Sequence, residues 1–314
     1  MPEEAVSEGR MLQQLTQTSL EASYKAPEVE GVLDLYFYRR VGFRLAQWFA
    51  RLGLSPSQVS VIGGICGVLA GHLYFYVSLP LNVAGMFLHV CANALDNADG
   101  QLARLTNSGS REGRIIDSLC DHAGFLSIYI HLALRGFLHG GSPWILLLAF
   151  AAGMSHALQG AAADYYRNAY LFLARDRGNR EWDSAETLFA LYRAASWSGQ
   201  FGRKLLLLLY LDFTRRQEWL APQLSSLRAR FSGADVPVGF AAHYQQRAIP
   251  MFKYWSLLMT NSRMLILFLL LIIGQPIWFF WVELTVFNAL LVWLLFQQEK
   301  MCAVLSREAA AVAA

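Results

Sequence analysis

Apolar residues gather into stretches near 57–78, 81–105, 114–137, 143–173, 252–273 and 276–298, parted by short polar turns and one long polar region. A helix needs about 20 apolar residues to cross about 30 Å of hydrocarbon, so the pattern predicts an all-α membrane protein with six transmembrane helices. Ahead of them, residues 31–54 include "GVLDLYFYRRVGFRLAQWFARLG", where Tyr, Phe, Leu and Trp alternate with Arg39, Arg40, Arg44 and Arg51. That spacing predicts an amphipathic helix lying in the membrane interface, basic face toward lipid phosphates. Residues 55–314 then form the transmembrane domain, with a helical insertion at about 174–250. Inside the insertion, "LLLLLYL" (205–211) is too short to span and is expected as an interfacial or buried helix. Residues 1–30 are polar and lack an apolar core, so a flexible segment without a removable signal peptide is expected there.

Composition agrees with this class: 55% of the 314 residues are hydrophobic and 16% are charged, against about 25% charged in soluble domains. The net charge of +3 says little, but its placement says more, because Lys and Arg near helix ends mark the cytoplasmic side. With the N-terminus inside, Arg135 is the only basic residue of the outer connections. The inner ones carry Arg111, Arg114 and the basic stretch from Arg175 to Lys253. Both termini are therefore expected in the cytoplasm, on an integral protein of the cell (bacterial inner) membrane surrounded by membrane lipids, with no nucleic-acid partner. Cys66, Cys91, Cys120 and Cys302 form no C-x-x-C pair and three lie in expected spans, which argues against a disulfide framework or a zinc site. Gly63, Gly67 and Gly71 recur every four residues, a spacing that lets helices approach closely, either within the fold or between two copies.

Inside this apolar frame the run "LDNADGQLARLTNSGSREGRIIDSLCDHAG" (95–124) places four carboxylates, Asp96, Asp99, Asp117 and Asp121. Each costs about 2.5–3.5 kcal/mol at a bilayer centre on insertion scales, so something must offset them. Asp96, Asp99 and Ala103, at spacings of three and four, share one helix face. Gly113, Asp117 and Asp121, at spacings of four, share a face of the next helix. The short "TNSGS" turn predicts that the two helices run antiparallel as neighbours, and the two carboxylate pairs then meet. Four negative charges so close repel or take up protons unless cations neutralise them. An all-oxygen ligand set favours Mg²⁺ or Mn²⁺ over zinc. His122, about 100° round the helix from Asp121, is expected to pack or support rather than ligate. Gly100 and Ala103 leave room for a ligand against the helix backbone, and Arg104 offers a fork for phosphate oxygens. Together these suggest a bound diphosphate.

The run D-x-x-D-G-x-x-A-R, eight residues, then G-x-x-x-D-x-x-x-D (96–121) resembles the signature of the CDP-alcohol phosphotransferase (CDP-alcohol phosphatidyltransferase) family. More loosely the whole chain, with its interfacial helix and six spans, is similar to such members. Just before the first span "LSPSQVS" resembles the family's Pro-Asn-x-x-Thr start, with Ser57 in place of Asn and Ser60 in place of Thr. The resemblance implies an enzyme that transfers a substituted phosphate from a CDP-linked donor to an alcohol acceptor and releases CMP. It implies Asp96, Asp99, Asp117 and Asp121 around two Mg²⁺ or Mn²⁺ ions, Gly100, Ala103, Arg104 and Gly113 framing the CDP, Asp121 as general base, and a homodimer. Two ions about 3.5–4 Å apart neutralise a diphosphate and stabilise both oxygens of an in-line displacement. An alcohol also needs a base within about 3 Å of its proton. The acids lie near the inner end of the second stretch, so the site is expected to open to the cytoplasm, with lipid entering sideways.

The motif is common to two substrate arrangements. Arg167 in "ADYYRNAYLF", Lys253 and Arg263 lie at or inside the inner ends of the fourth and fifth stretches, where arginines could grip the phosphate of an anionic acceptor. Ordinary positive-inside flanking accounts for Arg167 and Lys253 as well. Pairing with Glu283 would also account for Arg263, which is costly at that depth unless paired. The favoured reading is phosphatidyl transfer from CDP-diacylglycerol to a small polyol or polyol phosphate, such as inositol phosphate or glycerol phosphate. CDP-choline or CDP-ethanolamine phosphotransfer to diacylglycerol is the alternative inside the family. A divalent-cation transporter or an inactive membrane scaffold are the alternatives outside it.

Overall fold

The computed structural model describes residues 27–174, 183–231 and 236–313. The expected polar N-terminus therefore lies outside the described residues as far as residue 26. Among the described residues every regular element is helical, in agreement with the all-α expectation. The chain forms two compact units, Met1–Phe150 with Met264–Phe279 and Ala151–Arg263 with Phe280–Ala314.

In the first unit a π-helical turn, Asp34–Tyr38, leads into α1 (Arg39–Arg51), followed by α2 (Pro56–Tyr74), α3 (Leu79–Leu105) and α4 (Arg111–Leu138). Ala46, Phe49 and Ala50 of α1 pack with Val59 of α2 and with Leu95, Ala98 and Leu102 of α3. Trp48 and Leu52 stay exposed. Arg39, expected on a lipid-facing side, instead makes a two-pronged pair with Glu30, at 2.7 Å for each nitrogen. The start of α2 is written locally. Gln58 N donates to Ser55 Oγ at 3.3 Å, Ser55 N donates to Gln58 Oε1 at 2.8 Å, and Pro56 opens the helix. The reciprocal bonds close a capping box over the first turn, and proline at that position gives up no helical bond. The turn between α3 and α4 carries Asn107 at φ 50°, a left-handed conformation that Asn tolerates. Ser110 then accepts from Gly113 N at 2.9 Å and caps α4.

The close packing in this unit is made by α2, against both α3 and α4. The two acid-bearing helices bring oxygens of Asp99 and Asp117 together, as the short turn predicts, and both also pack closely on α2. Its glycines explain how. A methyl group at Gly64 would lie 2.8 Å from Cys120 Cβ, one at Gly67 would lie 3.3 Å from Gly124 Cα, and one at Gly71 would lie 2.6 Å from the Ile128 amide nitrogen. The small-residue stripe therefore serves contacts inside the chain. Because backbone cannot move aside as a side chain can, Gly71→Ala is expected to destabilise by about 1–3 kcal/mol through overpacking. Gly109→Ala, with open space around it, should leave thermal unfolding in detergent unchanged, and the difference between the two midpoints checks the argument.

In the second unit lie most of α5 (Trp144–Ala174), then α6 (Ala185–Ala194), α7 (Phe201–Leu220), α8 (Pro222–Arg230) and α9 (Val238–Trp255). After α10 (Thr260–Ile272) and α11 (Trp278–Val282), a π-helical turn Glu283–Phe287 opens α12 (Asn288–Ala313). The described part of residues 174–250 is largely helical. Polar locks hold it. Arg228 donates to Glu218 at 2.6 Å and to the Asp183 carbonyl at 3.2 Å, while Glu299 accepts from Gln223 N at 2.6 Å and caps α8. Among the described residues four helical stretches, Pro56–Tyr74, Trp144–Ala174, Val238–Ile272 and Trp278–Ala309, are long and apolar enough to cross a membrane. At 27 and 28 residues, α3 and α4 have the length as well, but they carry the acids. The fifth expected span, 252–273, is interrupted, since the backbone at Met259 is extended (φ −90°, ψ 173°) between α9 and α10.

Candidate active site

Asp96 and Asp99 come from α3, and Asp117 and Asp121 from α4. Ligand oxygens of Asp96, Asp99 and Asp117 lie within 4.8 Å of one another. All four aspartates line one open cavity, together with Ser60, Gly63, Gly64 and Gly67 of α2. The glycines do double duty here, since the same missing side chains that allow helix contact leave space beneath the acids. Asp99 is the most enclosed of them, 4% exposed. Ser60 Oγ lies 2.5 Å from Asp99 Oδ2 and 3.1 Å from the Pro56 carbonyl. Its single hydrogen serves the nearer carboxylate, so Ser60 orients an acid. The sequence marks that position but not this use.

The other end of the cavity is lined by Asn93, His89, Phe125 and Ile128. His89 Nδ1 is 3.3 Å from Tyr74 Oη, and Asn93 Nδ2 donates to Met264 Sδ at 3.3 Å. Sequence reasoning missed both residues, although residues 89, 93 and 96, at spacings of four and three, fall on the face that carries Asp96. Cys120, between Asp117 and Asp121, also lines the cavity. His122 turns back on its own helix, 2.5 Å from the Ser118 carbonyl, and is not among the lining residues.

Of the residues expected to frame a CDP, Gly100, Ala103, Arg104 and Gly113 are not part of the cavity lining. They lie beyond Asp99 on α3 and in the first turn of α4. A side chain at Gly100 would find nothing nearer than Arg104 Nη1 at 3.6 Å, so the backbone there is open to approach. One at Gly113 would lie 3.5 Å from Ser57 Oγ, which brings the "LSPSQVS" segment to the same edge. Arg167, Lys253 and Arg263 belong to the second unit. Arg167 pairs with Asp164 at 3.1 Å, and Lys253 Nζ sits 4.8 Å from the Tyr254 ring centroid. Arg263 is buried and bonds to Glu283 at 2.6 Å, to Gln159 at 2.7 Å and to the Leu258 carbonyl at 2.9 Å, the pairing with Glu283 that the sequence offers as its other account.

Three carboxylates converging without a nitrogen or sulfur ligand make a donor set suited to a hard divalent cation, so the residues present fit Mg²⁺ or Mn²⁺.

Residues 54–189 match the family model for CDP-alcohol phosphatidyltransferase. All four aspartates fall inside the matched region. It is similar to an archaetidylinositol phosphate synthase of Pyrococcus horikoshii, 33% identical over 105 residues, which cover 33% of this chain and 54% of that one. It also resembles a bifunctional IPC transferase and DIPP synthase of Thermococcus kodakarensis, 27% identical over 45% of this chain and 31% of the relative. A putative cardiolipin synthase of Mycobacterium tuberculosis is 30% identical over 30% of this chain and 42% of its own. The match thus spans about half the length of the first relative and less of the others.

Proposed function

We propose that the protein transfers phosphatidyl from CDP-diacylglycerol to a small polyol or polyol phosphate and releases CMP. The carrying observation is the cavity where Asp96, Asp99 and Asp117 offer converging oxygens, with Asp121 on the same wall. The names of the relatives, one an archaetidylinositol phosphate synthase, support a phosphorylated polyol as acceptor. Asp96, Asp99 and Asp117 would hold one or two Mg²⁺ or Mn²⁺ ions, with Asp121 sharing in this. Bound there, the ions neutralise the diphosphate and stabilise the attacking and leaving oxygens.

The chain's own groups supply the rest. Ser60 Oγ fixes the Asp99 carboxylate, and the Asp121 carboxylate takes the proton from the acceptor hydroxyl. Gly100, Ala103, Arg104 and Gly113 form the edge against which the CDP lies. Arg167 and Lys253 are retained as contacts of an anionic acceptor, whereas Arg263 is not. In this reading α3, α4 and the α9–α10 pair complete six spans, α1 lies in the interface, the site opens to the cytoplasm, and two copies associate.

The test is a panel on the purified full chain with Mg²⁺, scored by CMP. CDP-diacylglycerol is offered inositol phosphate, glycerol phosphate, inositol or serine, and CDP-choline is offered diacylglycerol. CMP release with CDP-diacylglycerol and a polyol or its phosphate is expected, fastest with the phosphorylated acceptors. Release confined to CDP-choline with diacylglycerol would transfer the chain to the other substrate arrangement.

A further inference from the structure

We propose that α7 seats its exposed face on a lipid surface bearing anionic headgroups, at the level where α5 leaves the hydrocarbon. The inference rests on the reading that the chain spans a bilayer. At 100° per residue, Phe201, Leu205, Leu208, Leu209 and Trp219 fall on one arc of α7, and all are exposed, Phe201 to 62% and Trp219 to 76%. The opposite face is already used, with Leu207, Leu211, Thr214 and Gln217 buried. A helix apolar on both sides is not at rest against water.

The charges say what covers the outer face. Ala185–Leu220 carries Arg193, Arg203, Lys204, Arg215 and Arg216 against Glu186, Asp212 and Glu218. Glu218 is committed to Arg228 and Asp212 pairs with Arg216. The bases are interleaved with rings: Arg215 lies 5.3 Å from the Phe189 centroid, and Lys204 lies 4.8 Å from Tyr192 and 5.2 Å from Trp197. Arginine and lysine beside aromatic and leucine side chains are the chemistry of an anionic membrane interface. Depth agrees. Gln217 Nε2 donates to the Ala161 carbonyl at 3.0 Å, and Ala161 lies 17 residues beyond Trp144, the exposed first residue of α5. Those 17 residues rise about 26 Å, close to the far edge of a hydrocarbon layer about 30 Å thick.

The test reconstitutes the full chain in vesicles of phosphatidylcholine alone and in vesicles that also hold phosphatidylglycerol, with bromine on the acyl chain near the headgroup. The contribution of Trp219 to fluorescence is the wild-type signal less that of Trp219→Phe. In anionic vesicles the lipid bromine should quench this contribution while aqueous iodide does not. Omitting the anionic lipid, or combining Arg215→Glu with Arg216→Glu, should weaken the lipid quenching at least about twofold, since basic side chains near such a surface are held by its negative potential. Iodide quenching in both vesicle types would overturn the proposal. So would equal lipid quenching with and without anionic lipid, or cross-linking of two copies through Leu209→Cys, which would make the face a contact between copies. Carbonate extraction of the same vesicles keeps the two readings apart: chain released to the supernatant would overturn the spanning reading itself.

Discussion

Asp121→Asn should slow CMP release by about 10²–10⁴-fold, the usual contribution of a positioned acid or base, while the protein keeps its helical content and elution volume. The reasoning is geometric. Asp121 lines the cavity with the other acids but stands outside the set of three whose oxygens approach within 4.8 Å. The amide has nearly the carboxylate's shape but cannot accept a proton at neutral pH, so it removes the base and spares most of the cation site. Asp99→Asn acts differently. It removes a ligand oxygen and disturbs the Ser60 hydrogen bond, so Mn²⁺ binding should weaken along with the rate. Measuring Mn²⁺ binding by its paramagnetic resonance beside CMP release separates the two variants: Asp121→Asn binds and does not turn over, Asp99→Asn binds poorly. Near-normal turnover in Asp121→Asn would remove the general-base assignment and leave the acid as a further ligand.

The carboxylates could be read from the chain because their spacing is a property of one helix at a time. Asp96 and Asp99, or Asp117 and Asp121, share a face whatever packs around them. What packs around them could not be read that way. A five-residue turn predicts that α3 and α4 meet, as their carboxylates do, but not that both also pack closely on α2, where Gly63 faces Leu95 of α3 and Gly67 and Gly71 face Gly124 and Ile128 of α4. The glycine repeat was visible, but its partner was not, since a stripe of small residues looks the same facing inward or facing a second copy. His89 and Asn93 escaped for another reason. Their spacing puts them on the Asp96 face, but single polar residues in an apolar run carry no chemical signature until a cavity gathers them with the acids. Helix ends were legible where the signal is local, as at Ser55–Gln58. The break at Met259 has no such signal, since no glycine or proline marks it.

Replacing one partner of the Arg263–Glu283 pair should cost about 3–5 kcal/mol, and replacing both should recover most of the loss. The two side chains are 4% and 0% exposed, with 2.6 Å between Nη1 and Oε2. Gln159 ties the pair together, accepting from Arg263 and donating to the Glu283 carbonyl and to Asn288 Oδ1 at 3.1 and 2.8 Å. Phe287 lies 5.0 Å beneath the guanidinium. Arg263→Met therefore leaves a carboxylate without its cation in a site closed to water, and Glu283→Leu leaves a guanidinium in the same position. Removing both charges takes away the desolvation cost with the attraction, and the double variant should unfold within about 1 kcal/mol of wild type once the lost Gln159 contact is counted. The same double variant decides between structural and substrate roles. If the guanidinium only holds the fold, the KM for a phosphorylated acceptor returns with stability. If it also grips the acceptor phosphate, stability returns while KM stays raised. The closure of the Arg263 side chain by Glu283, Gln159 and the Leu258 carbonyl predicts the first result, and a KM that remains raised in the stable double variant would restore Arg263 to the acceptor site.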